Sequence, residues 1–226
     1  LGHRRLAIID LPGGRQPMTV HREDGSPVVI VYSGEAYNFG ELREELTGRG
    51  HRFTTDSDTE VVLRGYLEWG EAVAERLNGM YAFAVWDERQ QRLVMIRDRM
   101  GIKPFYYYET PDGVLFGSEP KAILANPLAG RTVGLDGVRE LFAFVKTPGH
   151  AVWDGMYEVE PGTVVTVDRG GCAGTCTGRW RPVPTRTTGT PPWPTYGRCS
   201  TTSSAASSSP TFLAAPCSPA DSTRRP

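Results

Sequence analysis

The chain has 226 residues, and 25 Lys and Arg face 26 Asp and Glu, for a net charge of −1. This balance gives no electrostatic reason to expect nucleic acid or an anionic membrane as a partner. No apolar run reaches the length of a membrane span, and the first residues lack the pattern of a signal peptide, so we expect a cytoplasmic protein. The length suits one large or two small domains.

Composition changes abruptly near Gly171. From Cys172 onward there is no Lys, Glu, Gln, Asn, Ile or Met, and Asp221 is the only acid. Such a segment has little apolar material to offset the entropy lost on ordering. We therefore expect a folded domain over residues 1–171 and a disordered tail over residues 172–226. The tail holds every cysteine of the chain: Cys172, Cys176, Cys199 and Cys217.

The first third of the chain predicts strands joined to a helix. Apolar runs at residues 6–9 and 28–31 indicate strands, and the second run stops at Ser33-Gly34, where glycine permits a tight approach. Residues 38–47 fit a helix with Asn38 as N-cap and Glu41 three residues later.

The middle of the chain predicts two more helices and a hairpin. Residues 57–60, Ser-Asp-Thr-Glu, have the spacing of a capping box before an apolar helix that ends near Gly70, and a short helix follows at residues 71–77. Residues 80–86 alternate as a strand buried on both faces, and residues 93–97 return as its hairpin partner.

The rest of the folded part predicts a second hairpin and two short helices. Residues 105–108 and 114–117 pair across Pro-Asp-Gly, helices cover residues 119–125 and 136–145, and residues 159–167 form a last strand pair across Pro-Gly. Antiparallel hairpins mixed with helices indicate an α+β fold and not a doubly wound parallel sheet.

Known catalytic patterns are absent from the folded part of the sequence. It has no G-x-G-x-x-G or phosphate loop, no His/Cys cluster with metal-ligand spacing, no serine elbow and no cysteine. Motifs of this kind therefore assign no chemistry, and we expect no metal site.

Six stretches taken together resemble one family. They are residues 1–10 (LGHRRLAIID), 33–38 (SGEAYN), 55–60 (TDSDTE), 77–84 (LNGMYAFA), 97–104 (RDRMGIKP) and 117–122 (GSEPKA). Their order and spacing over residues 1–171 resemble the glutaminase domain of glutamine-hydrolysing asparagine synthetase. That domain is a class II glutamine amidotransferase of the N-terminal-nucleophile type. The resemblance implies a four-layer αββα sandwich with antiparallel sheets.

The resemblance also implies a reaction. In that family an N-terminal cysteine, activated by its own α-amine, attacks the side-chain amide of L-glutamine, and ammonia leaves. A second domain then uses the ammonia to amidate L-aspartate that has been activated with ATP. We therefore expect ATP and Mg²⁺ only in such a synthetase domain and no cofactor in these residues. The resemblance is also compatible with a homo-oligomer.

Three groups carry the implied glutamine site. Arg5 resembles the arginine that pairs with the substrate carboxylate, Gly34 the glycine whose N–H helps form the oxyanion hole, and Asp58 the acid that holds the substrate ammonium. Without the family, Arg5 could equally be a surface arginine, and Asp58 could simply favour the first helical turn. The remaining positions of the implied pocket are Leu6, Ala7, Ile8, Ile9, Ser33, Glu35 and Ala36. The segments 97–104 and 106–108 are interpreted as fold-determining.

This sequence departs from the family in two ways that bear on the expected binding and hydrolysis of glutamine. Ser33 stands where many members carry an asparagine whose amide helps bind the oxyanion, and a hydroxyl is shorter. No N-terminal cysteine is present, so the nucleophile and the first strand of the family are missing from these residues. We therefore expect this polypeptide to bind glutamine weakly and not to hydrolyse it.

The tail supports a frameshift hypothesis. If the third base of each codon is joined to the first two of the next, residues 218–226 can encode Ser-Gly-Gly-Leu-Asp-Ser-Ser-Ala. That string resembles the phosphate loop of the family's synthetase domain, so we interpret residues 172–226 as out of frame. A natural Ser/Thr/Pro-rich linker, or a metal or disulfide pair at Cys172 and Cys176, are the alternatives.

Other functions also stay open. Another class II amidotransferase, making glucosamine phosphate, phosphoribosylamine or a β-lactam, would share these motifs. A non-catalytic glutamine-binding or oligomerisation module is an alternative of a different class, and a fragment that does not fold alone is a third.

Overall fold

The computed structural model describes residues 1–3, 9–10, 12–111, 113–144, 146–168 and 171–176. These residues belong to one compact unit that covers residues 1–178. A second unit, residues 179–226, lies outside the described residues. No helix in the described ranges is both long and apolar enough to cross a membrane.

Nine strands are present in the described part of the chain. In chain order they are β1 (Met18–His21), β2 (Pro27–Ala36), β3 (Gly79–Asp87), β4 (Arg92–Arg97), β5 (Tyr106–Thr110), β6 (Gly113–Gly117), β7 (Met156–Glu158), β8 (Thr163–Asp168) and β9 (Gly171–Cys176). The larger sheet has the order β1-β2-β3-β4-β8-β9, and the smaller has the order β6-β5-β7. All pairs are antiparallel, as predicted.

The helices are short and connect the strands. They are α1 (Phe39–Gly48), α2 (Asp58–Trp69), α3 (Val73–Arg76), α4 (Pro120–Leu124) and α5 (Leu135–Ala143), with a 3₁₀ turn at Gly70–Ala72 before α3. Each lies where the sequence predicted a helix, within a few residues.

The apolar side chains divide into three clusters that define four layers. Helices α1 and α2 pack on one face of the larger sheet, where Leu46 and Leu63 meet Ile30. The other face packs on the smaller sheet, where Met95 meets Phe105. The outer face of the smaller sheet is covered by α4. This is an αββα sandwich with antiparallel sheets, and α1 and α2 with the larger sheet hold the largest core.

Both predicted hairpins are confirmed. Strand β3 pairs with β4 and β5 pairs with β6, in register through the predicted turns. The turn residues fix these local pairings, because an antiparallel pair can be closed by a short loop.

The predicted strand pair over residues 159–167 is wrong. Strand β7 ends at Glu158 and belongs to the smaller sheet, whereas β8 begins at Thr163 and belongs to the larger. The backbone crosses between the sheets here, and its polar groups bind other segments: Val159 N–H donates to Phe105 O at 2.8 Å and Gly162 N–H to Asp98 O at 2.8 Å.

Two capping predictions need correction. Asn38 precedes α1, but its side chain makes no cap: Nδ2 donates to Arg76 O and Oδ1 accepts from Asn78 N, both at 2.9 Å. Ser57 does cap α2, because its Oγ accepts from Thr59 N at 3.2 Å. Glu60 does not complete a capping box; it accepts hydrogen bonds from the backbone and hydroxyls of residues 54 and 55.

Two further predictions concern the ends of the folded domain. The predicted strand at residues 6–9 lies outside the described residues, apart from Ile9. Residues 172–176, which the composition assigned to the tail, form most of β9 and pair with β8. Backbone pairing makes few demands on side chains, so a segment of unusual composition can still extend a sheet.

Candidate functional site

The predicted glutamine loop is the far end of strand β2. Strand β1 pairs with β2 only as far as Ile30, so Val31–Ala36 has no β1 partner on that edge. Its other edge pairs with β3 throughout, with Ser33 opposite Ala82 and Gly34 opposite Tyr81. Ser33 and Gly34 therefore lie where β2 stops being enclosed on both sides.

The glycine at position 34 is required by a close approach of two backbones. Its φ is +152°, and a Cβ atom there would lie 2.2 Å from Met80 O. Gly79 is its counterpart on β3, with φ +157° and a Cβ position 2.1 Å from Glu35 O. Side chains at either position would force the strands apart, so the loop geometry depends on both glycines.

Asp58 is the first residue of α2 and is nearly fully buried, at 4% exposure. Its Oδ2 accepts a hydrogen bond from Ala36 N at 3.2 Å, which ties the start of α2 to the end of β2. A carboxylate in the first turn of a helix is also favoured by the helix dipole. The predicted acid and the predicted loop are thus brought together from positions 22 residues apart.

These residues line a cleft of about 600 Å³. The predicted positions Ile9, Ser33, Gly34, Glu35 and Asp58 are among its lining residues. Ala36 is buried behind the loop and contacts the site through its N–H to Asp58. Arg5, Leu6, Ala7 and Ile8 lie outside the described residues.

Further lining residues come from the segment after β4 and from the chain just after β6. Lys103, Ser118 and Glu119 line the cleft, and Lys121 pairs with Glu119. The sequence analysis interpreted residues 97–104 as fold-determining and gave residues 117–122 no role, so it placed neither segment at the site. Only the three-dimensional packing of the two sheets brings these charges to the same cleft as β2.

Gln16 is another residue of this region that no sequence pattern singled out. Its side-chain amide pairs with the backbone of Tyr32 in both directions: Nε2 donates to Tyr32 O at 2.9 Å and Oε1 accepts from Tyr32 N at 2.6 Å. Nε2 also approaches Thr59 Oγ1 at 3.4 Å. The amide therefore takes the place of a neighbouring strand and links β2 to the start of α2.

Tyr32 itself is 3% exposed and lines the cleft. Burial raises the pKa of its hydroxyl well above the usual value, and the charge of Asp58 raises that pKa further. The hydroxyl therefore stays protonated at neutral pH.

The segment 97–104 beside the cleft is held by its own side chains. Asp98 is 1% exposed and accepts hydrogen bonds from four backbone N–H groups, at residues 81, 100, 102 and 103, between 2.9 and 3.3 Å. Arg97 donates to the carbonyls of Lys103 and Gly101 at 2.7 and 2.8 Å and pairs with Glu158 at 3.0 Å. These contacts fit the predicted fold-determining role.

The arrangement suits a small polar ligand that carries both charges. Asp58 and Glu35 offer carboxylates, and Lys103, which lines the same cleft, offers a cation. Among the described residues, no group of three His, Cys, Asp or Glu side chains is placed to hold a metal ion.

Comparisons with known proteins agree on the type of domain. The sequence model of a family described as a glutamine amidotransferase domain matches residues 1–180. Asparagine synthetase [glutamine-hydrolyzing] 3 of Bacillus subtilis is 46% identical over 172 residues, which are 75% of this chain and 28% of that protein. A putative asparagine synthetase [glutamine-hydrolyzing] 2 of Methanocaldococcus jannaschii is 36% identical over 176 residues, 71% of this chain and 33% of that protein.

Solved structures with a similar fold are more distant in sequence. The glutamine phosphoribosylpyrophosphate amidotransferase of B. subtilis has a TM-score of 0.53 at 20% identity, covering 72% of this chain and 32% of that one. A structure titled an allosteric regulatory enzyme of purine biosynthesis has a TM-score of 0.55 at 19% identity, covering 74% and 32%. These two likenesses show the fold alone.

Proposed function

Because the chain belongs to the glutamine amidotransferase domain family, we propose that residues 1–171 are the glutamine-binding domain of a glutamine-hydrolysing asparagine synthetase. The chain spans about a third or less of the length of the asparagine synthetases described above, so the activity of a whole protein is part of the proposal. In such a protein the domain releases ammonia from L-glutamine, and a synthetase domain with ATP and Mg²⁺ uses it to amidate L-aspartate.

The observation that carries the proposal is the contact between Asp58 and the end of β2. The carboxylate, the Gly34 loop and Glu35 line one cleft, although the sequence separates them by more than twenty residues. A carboxylate suits the α-ammonium of an amino acid, because charge-assisted hydrogen bonds are strong at a buried site. We assign that role to Asp58.

The other assignments follow from the same cleft. We assign the N–H of Gly34 to the oxyanion hole, with Ser33 beside it, since backbone donors stabilise charge that develops on a carbonyl oxygen. We assign Arg5 to the substrate carboxylate, because a guanidinium binds a carboxylate through two hydrogen bonds.

Ligand binding by the 226-residue polypeptide tests the proposal directly. No cysteine precedes Cys172, so with this polypeptide the experiment measures binding, and we expect no ammonia release from glutamine. Titration calorimetry or ligand-observed NMR should detect saturable, weak binding of L-glutamine. Asp58→Asn should weaken it about tenfold or more, because a charge-assisted hydrogen bond is lost.

Asp56→Asn provides the matched control. Asp56 lies two residues before Asp58, in the loop that precedes α2, but its side chain is 95% exposed and pairs only loosely with Arg43 at 3.4 Å. This variant should bind L-glutamine as the unmodified chain does. Absence of saturable binding, or equal binding by the two Asn variants, contradicts the proposal; steady ammonia release contradicts the expected inactivity.

For the tail, we infer that residues 172–226 are out of frame and stand in place of a synthetase domain, although their first residues still extend the larger sheet as β9. The support is the compositional change at Gly171 and the phosphate-loop string in the shifted frame. Sequencing the gene tests this inference. A single inserted or deleted base near the codon of Gly171 is the expected result, and an uninterrupted frame through Pro226 contradicts it.

A further inference from the structure

Tyr32 presents a buried hydroxyl whose place in the structure is otherwise unexplained. The side chain is 3% exposed, and its oxygen makes no well-formed hydrogen bond among the described residues, although a weak contact with the Asp58 carboxylate helps to raise its pKa. Burying a polar group without a partner costs free energy, so such groups are few in folded proteins. This one lines the same cleft as Asp58.

The position of Tyr32 is tightly fixed. Gln16 binds both its backbone N–H and its carbonyl, and the ring lies 5.9 Å from that of Phe83 in a tilted contact. Gln16 also approaches Thr59, the residue after Asp58. The hydroxyl and the carboxylate are therefore held on one rigid wall, and a ligand can meet both without rearrangement of the backbone.

The charge around the hydroxyl selects the kind of ligand group. Beyond burial, the carboxylates of Asp58 and Glu35 both raise the pKa of Tyr32, so the hydroxyl remains a neutral donor and acceptor at neutral pH. Two nearby carboxylates disfavour an anion and favour a cation.

We propose that the Tyr32 hydroxyl is a further binding group for the α-ammonium of L-glutamine, beside the Asp58 carboxylate already assigned to it. This rests on the proposed function. A hydroxyl donates one hydrogen bond and accepts two. It can therefore donate to Asp58 and accept an N–H from the ammonium, while the carboxylate accepts a second N–H.

The test compares L-glutamine with glutaramate, which has the same carboxylate and carboxamide but no α-ammonium. Ligand-observed NMR on the full chain detects weak binding of each. Tyr32→Phe, which keeps the ring, should weaken L-glutamine about five- to tenfold and leave glutaramate within twofold. A purely structural role of the hydroxyl would change both ligands equally.

Tyr66→Phe is the matched control. Tyr66 is also nearly fully buried, at 2% exposure, and its hydroxyl also lacks a partner among the described residues, but it does not line the cleft. Tyr66→Phe should therefore change the binding of neither L-glutamine nor glutaramate.

The outcomes separate the two proposals. Unchanged L-glutamine binding in Tyr32→Phe, or equal losses for both ligands, overturns the role of Tyr32, while a loss confined to Asp58→Asn leaves the proposed function standing. Absence of L-glutamine binding by the unmodified chain overturns both.

Discussion

Two buried aspartates, Asp98 and Asp58, occupy contrasting places in this molecule. Asp98 accepts four backbone hydrogen bonds within and beside its own loop, whereas Asp58 accepts one from a backbone N–H of the described residues. A carboxylate has about four lone-pair sites. The fold fully uses those of Asp98, whereas it leaves sites on Asp58 that the proposed ammonium subsite would use. Under that proposal, the number of hydrogen bonds already made by the fold distinguishes a structural carboxylate from a binding one.

Replacing each aspartate by alanine should show the difference between them most clearly, as unequal losses in the free energy of unfolding. Asp98→Ala leaves four N–H groups without their acceptor and should lower the free energy of unfolding by about 4 kcal/mol. Asp58→Ala loses one such bond and a favourable charge in the first helical turn, so about 1 kcal/mol is expected. Urea unfolding followed by tryptophan fluorescence measures both. Equal losses would refute the distinction.

Gly34→Ala tests the close approach at the binding loop. The added Cβ meets Met80 O, and the positive φ disfavours any side chain, so we expect a loss of about 3 kcal/mol. Gly40 in α1 is the control, because a Cβ there meets nothing within 4 Å. Gly40→Ala should raise stability by about 1 kcal/mol through helix propensity. Thermal unfolding that moves the same way in both variants would contradict this account.

Alkaline pH should weaken the core behind the loop. Burial raises the pKa of Tyr81 to about 12, whereas an unfolded tyrosine titrates near 10. The unfolded chain therefore loses its proton first, and the contribution of Tyr81 is intact below pH ~10 and disappears between pH ~10 and ~12. The expected loss is about 2 kcal/mol. Urea unfolding across this range should show a shallower decline in Tyr81→Phe; an unchanged slope would argue against the shifted pKa.

Tyr32→Phe should have the smallest effect on stability. Its hydroxyl makes no well-formed hydrogen bond within the described residues, so its removal should change the free energy of unfolding by no more than about 0.5 kcal/mol. Tyr81→Phe, which removes a bond to Ala74 O at 3.2 Å, should cost about 1 kcal/mol at neutral pH. If Tyr32→Phe is the more damaging of the two, the hydroxyl serves the fold and not a ligand.

Local signals predicted much of this fold. The turn residues of both hairpins and Ser57 at the start of α2 act on neighbours in the chain, so a single sequence contains the information. The family resemblance added the layers of the sandwich and the grouping of Asp58 with Gly34. The local signals and the family resemblance both worked without any knowledge of which segments cross between the two sheets.

The missed features are contacts between distant segments. Strands β7 and β8 follow each other closely, yet they enter different sheets. Arg97 and Asp98 hold the chain between them, because the Arg97 guanidinium donates to Val159 O and the Asp98 carbonyl accepts from Gly162 N–H. Gln16 could not be recognised, since a side-chain amide that replaces a strand leaves no pattern in its own segment. Asn38 was misread for the same reason, because its partners are 38 and 40 residues away.

The paired glycines of β2 and β3 have a consequence for how this domain can vary. The obstacle at each position is a carbonyl oxygen of the opposite strand, which every amino acid possesses. A smaller side chain across the strand pair therefore cannot relieve a substitution at either glycine. A search for second-site suppressors of Gly34→Ala should return none at Gly79 or Met80, and each glycine should be retained in functional variants independently of the other.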